Sequence, residues 1–229
     1  MTRWLHGLAV CSAVIAFTES VSALDTNGVI GTWLASQTNL VTWKAEFVQT
    51  RALSTLTRPL TTRGRVWVVA PNLFRWELGD PVQTIAMRQP SEVFILYPNL
   101  KRAERYSLQS AAGSPWKDAM TLLDAGFPRN RSGLDAAFRI MALAETNEVF
   151  TLTLQPRSTS ARKLMPELQL AFGAVDHLLR ATQLRCADGT TLRNDFIGVL
   201  TNAPTDEALF RFDSGAGYKL IEPANAEKR

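Results

Sequence analysis

Histidine and cysteine are almost missing from this sequence, with two of each among 229 residues. His6 and Cys11 stand near the N-terminus, which leaves His177 and Cys186 for the rest of the chain. A Ser-His-Asp triad needs an imidazole beside its nucleophile, and a zinc site needs several imidazole or thiolate ligands. A single histidine after Ala174-Val175-Asp176, with no companion at motif spacing, reads as a surface residue at a turn. Cys186, in LRCADGTT, reads as a small, partly buried hydrophobe, and if a leader carrying Cys11 is cut away it has no partner for an intramolecular disulfide. Gly-x-Ser-x-Gly, Cys-x-x-Cys, a phosphate loop and Gly-x-Gly-x-x-Gly are missing as well. The acidic pairs Asp176 with Asp188 and Glu145 with Glu148 lie in polar, turn-like stretches and read as solvated carboxylates. These absences point away from an enzyme and imply neither a cofactor nor a metal.

Strong charge is lacking too. The formal balance is +4, and a leader carrying Arg3 and Glu19 leaves it unchanged when removed. The small clusters Lys101, Arg102, Arg105 and Arg157, Arg162, Lys163 are too sparse for a nucleic-acid face. No apolar run is long enough to span a bilayer. Leu8 to Phe17 is a short apolar run behind Arg3, and Val21-Ser22-Ala23 follows with small residues. This is the layout of a secretory signal peptide over residues 1–23, cut after Ala23, with one domain over 24–229.

What is present is alternation. The hydrophobic fraction is 46% and the charged fraction 20%, enough for a folded core. Gly28 to Trp43 predicts a helix, capped by Asp25, Thr26 or Asn27. From Trp43 the period changes to two, with Ala45, Phe47 and Gln49 on one face. Arg51 to Thr62 reads as a polar connection. Strands follow over Arg63 to Ala70, with Arg65, Trp67 and Val69 on one side, then over Leu73 to Leu78, Val82 to Met87, Glu92 to Tyr97 and Lys101 to Leu108. Trp116 to Ala125 spaces Trp116, Met120 and Leu123 along one helical face, and Asn130 to Asp135 reads as a loop. Strands resume over Ala137 to Ala144. Phe150, Leu152 and Leu154 share the face of one strand, and Leu168, Leu170 and Phe172 that of another. Asp188-Gly189 marks a hairpin between His177–Arg185 and Thr191–Leu200. Leu209 to Phe212 reads as the closing strand. About ten or eleven short antiparallel strands with two helices suit one sheet-rich barrel or sandwich. The apolar faces are a packed core or, in part, the wall of a cavity.

An ordered set of residues resembles a known family. Phe47-Val48-Gln49, Gly64-Arg65-Val66-Trp67-Val68, Pro71-Asn72-Leu73-Phe74-Arg75-Trp76, Pro81 and Tyr97-Pro98-Asn99 are similar to the outer-membrane lipoprotein carrier proteins, the LolA family. Phe210-x-Phe212 with Gly217, Lys219 and Leu220 resembles the family's closing strand and tail. The resemblance implies a mainly β fold, an incomplete antiparallel barrel of about 11 strands with a helical lid over an apolar cavity. It implies a monomer in the periplasm that takes acylated lipoproteins from an inner-membrane ABC release complex to an outer-membrane lipoprotein receptor. Phe47, Trp67, Val69, Trp76 and Phe94 are then expected at the acyl chains, with Trp116, Met120 and Leu123 from the lid. Phe150, Leu152, Leu154, Leu168, Leu170 and Phe172 are expected to complete that wall. Ala70, Phe74 and Arg75 are expected at the rim. Family members often place an arginine before the Pro-Asn turn, where it bonds the lid shut; here that residue is Ala70, and Arg65 or Arg75 is the expected substitute. A sensor of lipid or misassembled lipoprotein, or a carrier of another lipid, is the alternative on the same fold.

Overall fold

The computed structural model describes residues 24–108, 120–122 and 124–222. The leader, Trp116 and Leu123 lie outside them.

Helix α1 spans Thr26–Gln37, and the Asp25 carboxylate caps it by accepting the Gly28 N–H at 3.0 Å. It buries Ile30, Trp33 and Leu34, one stripe at helical spacing. The helix ends before Trp43, because Thr42–Ala52 is already strand β1. Next come β2 (Leu60–Val69), β3 (Leu73–Leu78), β4 (Thr84–Arg88), β5 (Glu92–Tyr97) and β6 (Arg102–Ser107). The connection expected over Arg51 to Thr62 is shorter than its polarity suggested, since Arg51 already pairs with Leu60.

Arg131–Ala137 is a short helix, α2, rather than a loop. The Asn130 side chain accepts the Gly133 N–H at 2.8 Å and starts it, so a polar stretch that looked irregular is a helix cap. The second half of the sheet is β7 (Phe138–Thr146), β8 (Val149–Pro156), β9 (Glu167–Gly173), β10 (Leu179–Arg185) and β11 (Thr191–Thr201), with α3 (Thr159–Leu164) between β8 and β9. Asn147 and Glu148 take φ of 51° and 60° in the β7–β8 turn, where a tight hairpin demands left-handed backbone.

All the described strands join one sheet, in the order β12-β6-β5-β4-β3-β2-β1-β11-β10-β9-β8-β7, where β12 is Lys219–Ile221. Neighbours are antiparallel except β12, which lies parallel to β6. β7 and β12 do not pair, so the sheet is not closed. The fold is mainly β, an incomplete barrel.

Leu209 to Phe212 is not a strand. Glu207–Phe210 is a 3₁₀ turn lying against the outer side of β3. Arg75 donates to the Leu209 carbonyl and Gln89 to the Phe210 carbonyl, each at 2.8 Å, so side chains hold this segment where a ladder was expected.

The two sheet faces are packed differently. The inner face carries the main core, in which Trp33 of α1 stacks on Phe172 at 4.7 Å. Phe47 reaches across to Gly64, where any Cβ would come within 2.2 Å of its ring, so the glycine makes room for the aromatic. The outer face of β4 to β6 has its own cluster of Ile85, Met87, Phe94, Leu96 and Ala103, covered by Phe212 and Tyr218.

Candidate functional site

One end of the half-barrel is hollow. A cavity of about 410 Å³ opens there, between the C-terminal end of α1, the β2–β3 turn, residues 120–121 and 124–130, and α2. That volume lies within the range of about 300–1,000 Å³ usual for small-molecule pockets. Much of its wall is apolar, with Leu40, Trp43, Val68, Phe74, Met120, Phe127, Leu134 and Phe138. A second hollow of about 200 Å³ shares Gln37, Leu40, Trp43 and Phe127 with the first and continues toward Asp176, His177 and Asn202.

The strand register explains this wall. Trp43 pairs with Val68, Val68 with Phe74, Phe74 with Arg88 and Arg88 with Val93. These residues form one row across β1 to β5 on the inner face. Trp43 also meets the rings of Phe127 and Phe196 edge-on at 5.1 and 5.0 Å. Phe74 lies 5.9 Å from Trp76, which packs in turn on Phe47 at 4.1 Å.

Of the residues anticipated from the sequence, Ala70, Phe74 and Met120 line the cavity. Phe47 and Trp76 stand on the same face, one aromatic layer deeper. Phe150, Leu152, Leu154, Leu168, Leu170 and Phe172 are brought together, but in the packed core; Leu152, Leu154, Leu170 and Phe172 have no exposed surface. Trp67, Val69, Phe94 and Arg75 stand on the outer face, opposite the cavity. The pairings Trp67 with Arg75 and Met87 with Phe94 set this, since a residue one position away from Val66 or Val68 must point the other way. Phe94 stacks on Phe212 at 4.9 Å, and Trp67 lies under the Arg65 guanidinium at 5.6 Å. Arg65 and Arg75 both bond Glu77, at 2.8 and 2.7 Å, so neither reaches the cavity mouth from that side.

The cation at the mouth is Arg88, which sequence reasoning passed over. It ends β4 on the inner face and donates from Nη1 to both oxygens of Asp124, at 2.7 and 2.9 Å. Its side chain is 15% exposed against 58% for Asp124. The one clue to Arg88 is that in TIAMR it shares a face with Ala86, whose alternation with Ile85 and Met87 marks two buried sides. Among the described residues of the lining the other cation is Arg129.

Titration is perturbed elsewhere, at the opposite end of the strands. Burial, and next the nearby Asp188 carboxylate, push the Cys186 thiol up, which makes it a poorer nucleophile. Among the described residues no group of His, Cys, Asp and Glu is placed to hold a metal ion, and no helix is long and apolar enough to cross a membrane.

No curated protein matches the chain. Solved structures similar to it include a conserved protein from Thermus thermophilus, at 11% identity and TM-score 0.49, covering 84% of this chain and 99% of that one. A LolA superfamily protein from Nitrosomonas europaea is 8% identical with TM-score 0.43, over 83% of this chain and 99% of that one. The lipoprotein LppX of Mycobacterium tuberculosis is 9% identical with TM-score 0.36, over 77% of this chain and 98% of that one. The family model "Outer membrane lipoprotein carrier protein LolA" matches residues 38–213, which take in every strand from β1 to β11 and, of the described cavity lining, all but Gln37. By that match the chain is a member of the LolA family of outer membrane lipoprotein carrier proteins.

Proposed function

We propose that this protein is a periplasmic carrier that shields the acyl chain of a lipid or lipoprotein in the cavity at the mouth of the half-barrel. On this reading residues 1–23 are a signal peptide and the remainder is the carrier domain. Cargo is received from a release complex of the inner membrane and handed to an outer-membrane receptor. The observation that carries the reading is the aromatic and aliphatic row Trp43, Val68, Phe74, which lines the cavity on one side while its rings pack into the core on the other. Each methylene buried there is worth about 0.8 kcal/mol, so a chain held in the cavity is protected from water without any covalent step. Release needs only that this apolar surface be offered a better one, such as a receptor or a bilayer.

Displacement of a fluorescent fatty-acid probe tests the reading. The wild-type protein should bind the probe, and Val68→Trp, which fills the cavity from its wall, should weaken binding at least about tenfold, or 1.4 kcal/mol. Native mass spectrometry of protein taken from a periplasmic extract should show an acylated adduct. A protein that binds no probe and carries no adduct overturns the proposal.

A further inference from the structure

Arg88 is an unusual residue to find in an apolar wall. Its cross-strand neighbours in the row are Phe74 and Val93, and it contributes a largely buried guanidinium to a cavity lined mostly by hydrocarbon. Removing a charge from water is costly unless it is paired and fully hydrogen-bonded. The pairing is incomplete: Nη1 serves Asp124, while the buried Nε has no acceptor among the described residues. The partner is also loosely held, because Asp124 is more than half exposed at the edge of the mouth. Arg129 adds a second positive charge to the lining, and Asp124 is the one carboxylate among its described residues. Leaving the Asp124 carboxylate for water is cheap; leaving Arg88 alone against hydrocarbon is not.

From this imbalance we infer that Arg88 is a head-group site: it exchanges Asp124 for the anionic head of an amphiphile whose chain lies along Val68, Phe74 and Phe127. The inference rests on the carrier reading and adds the chemistry of the cargo's polar end, a carboxylate or a phosphate ester attached to an acyl or alkyl chain. A planar guanidinium can hold either anion through two parallel N–H donors, a fork it does not complete with Asp124, where Nη1 alone serves both oxygens. The exchange conserves charge at the mouth, since one anion replaces another. It also ties occupancy to the 120–130 segment, because Asp124 is set free when cargo arrives.

The experiment compares binding of palmitate, palmityl phosphate and methyl palmitate by displacement of a neutral fluorescent acyl probe. In the wild-type protein both anionic amphiphiles should bind about tenfold tighter than the ester, the ratio expected for about 1.4 kcal/mol of charge-assisted bonding. In Arg88→Met the anion-to-ester ratio should fall to about one. In Asp124→Asn, a change at a half-exposed site that does not threaten folding, the ratio should rise above that of wild type, because the internal competitor is gone. Equal binding of ester and anion by the wild-type protein, or an unchanged ratio in Asp124→Asn, overturns the inference and leaves the carrier reading standing. Failure of all three amphiphiles to displace the probe, or to bind, defeats both. Displacement by inorganic phosphate alone would mark a simple anion site and also overturn the inference. Thermal melts of each variant show that the ratios come from folded protein.

Discussion

Leu152 and Leu170 face each other across β8 and β9 with no exposed surface, while Val68 borders the cavity. Substitutions at the two places should therefore separate stability from binding. Leu170→Ala should cost about 2–5 kcal/mol in a chemical-denaturant titration, because packed neighbours cannot close the space it leaves. Its affinity for an acyl probe, measured below the melt, should match wild type. A loss of affinity with little loss of stability would move Leu170 from the packed core to the binding wall. Another residue sets a pH dependence. Asp188 accepts the Thr190 N–H at 2.9 Å, and that bond, with a second from the Thr190 hydroxyl, holds its carboxyl below the usual carboxylate range. A depressed carboxyl contributes stability that is complete above its unfolded pKa and is lost as pH falls through its folded one. The gap in urea midpoint between wild type and Asp188→Ala should thus be widest near neutrality and close in acid. A gap that persists in acid would mean that the hairpin does not use the ionised form. The Asp-Gly turn itself was plain in the sequence, since few dipeptides tolerate its backbone. The Arg88–Asp124 pair was not, because its members are 36 positions apart and nothing local ties them together.

At the scale of elements, alternation in Val149–Pro156 and Glu167–Gly173 was enough to find β8 and β9 and to sort their residues into faces. Alternation does not say which face is inward. Val66 and Val68 turn in while Trp67, the larger residue, turns out, and only pairing with β1 and β3 decides this. The C-terminal segment went astray for a related reason. Phe210 and Phe212 show strand spacing, yet Arg75 holds the Leu209 carbonyl, Gln89 holds that of Phe210, and the Phe212 ring goes to Phe94. This segment is an outer cover for β4 to β6, and β12 is its last tie to the sheet. Phe212→Ala should cost up to about 3 kcal/mol, the low end for a phenylalanine that is only partly buried. Hydrogen exchange should quicken at β12 and along β6 while β8 and β9 keep their protection. Uniform loss of protection would show instead that cover and core unfold as one unit.

For the whole molecule, the carrier reading has ligand binding and folding draw on the same surface. A cargo that binds only the folded chain should raise its stability by about 2.7 kcal/mol at a free concentration of a hundred times Kd. For a chain of this size that is a rise in Tm of about 5–10 °C, readable by scanning calorimetry with and without a fatty acid. No shift at saturation would mean that the fatty acid does not occupy a site unique to the folded state. The unjoined ends of the sheet bear on how such a site takes cargo of different girth. A closed hoop of strands has a fixed circumference, and widening it means breaking a ladder of hydrogen bonds. This twelve-strand sheet is a split ring, with β7 at one lip and β12 at the other. The twist between adjacent strands varies over a range of about 25° among sheets. Small turns of the same sign, added from β7 round to β12, change the bore while every ladder stays intact. On the carrier reading, the gap in the ring acts as a spring that lets the bore fit its load.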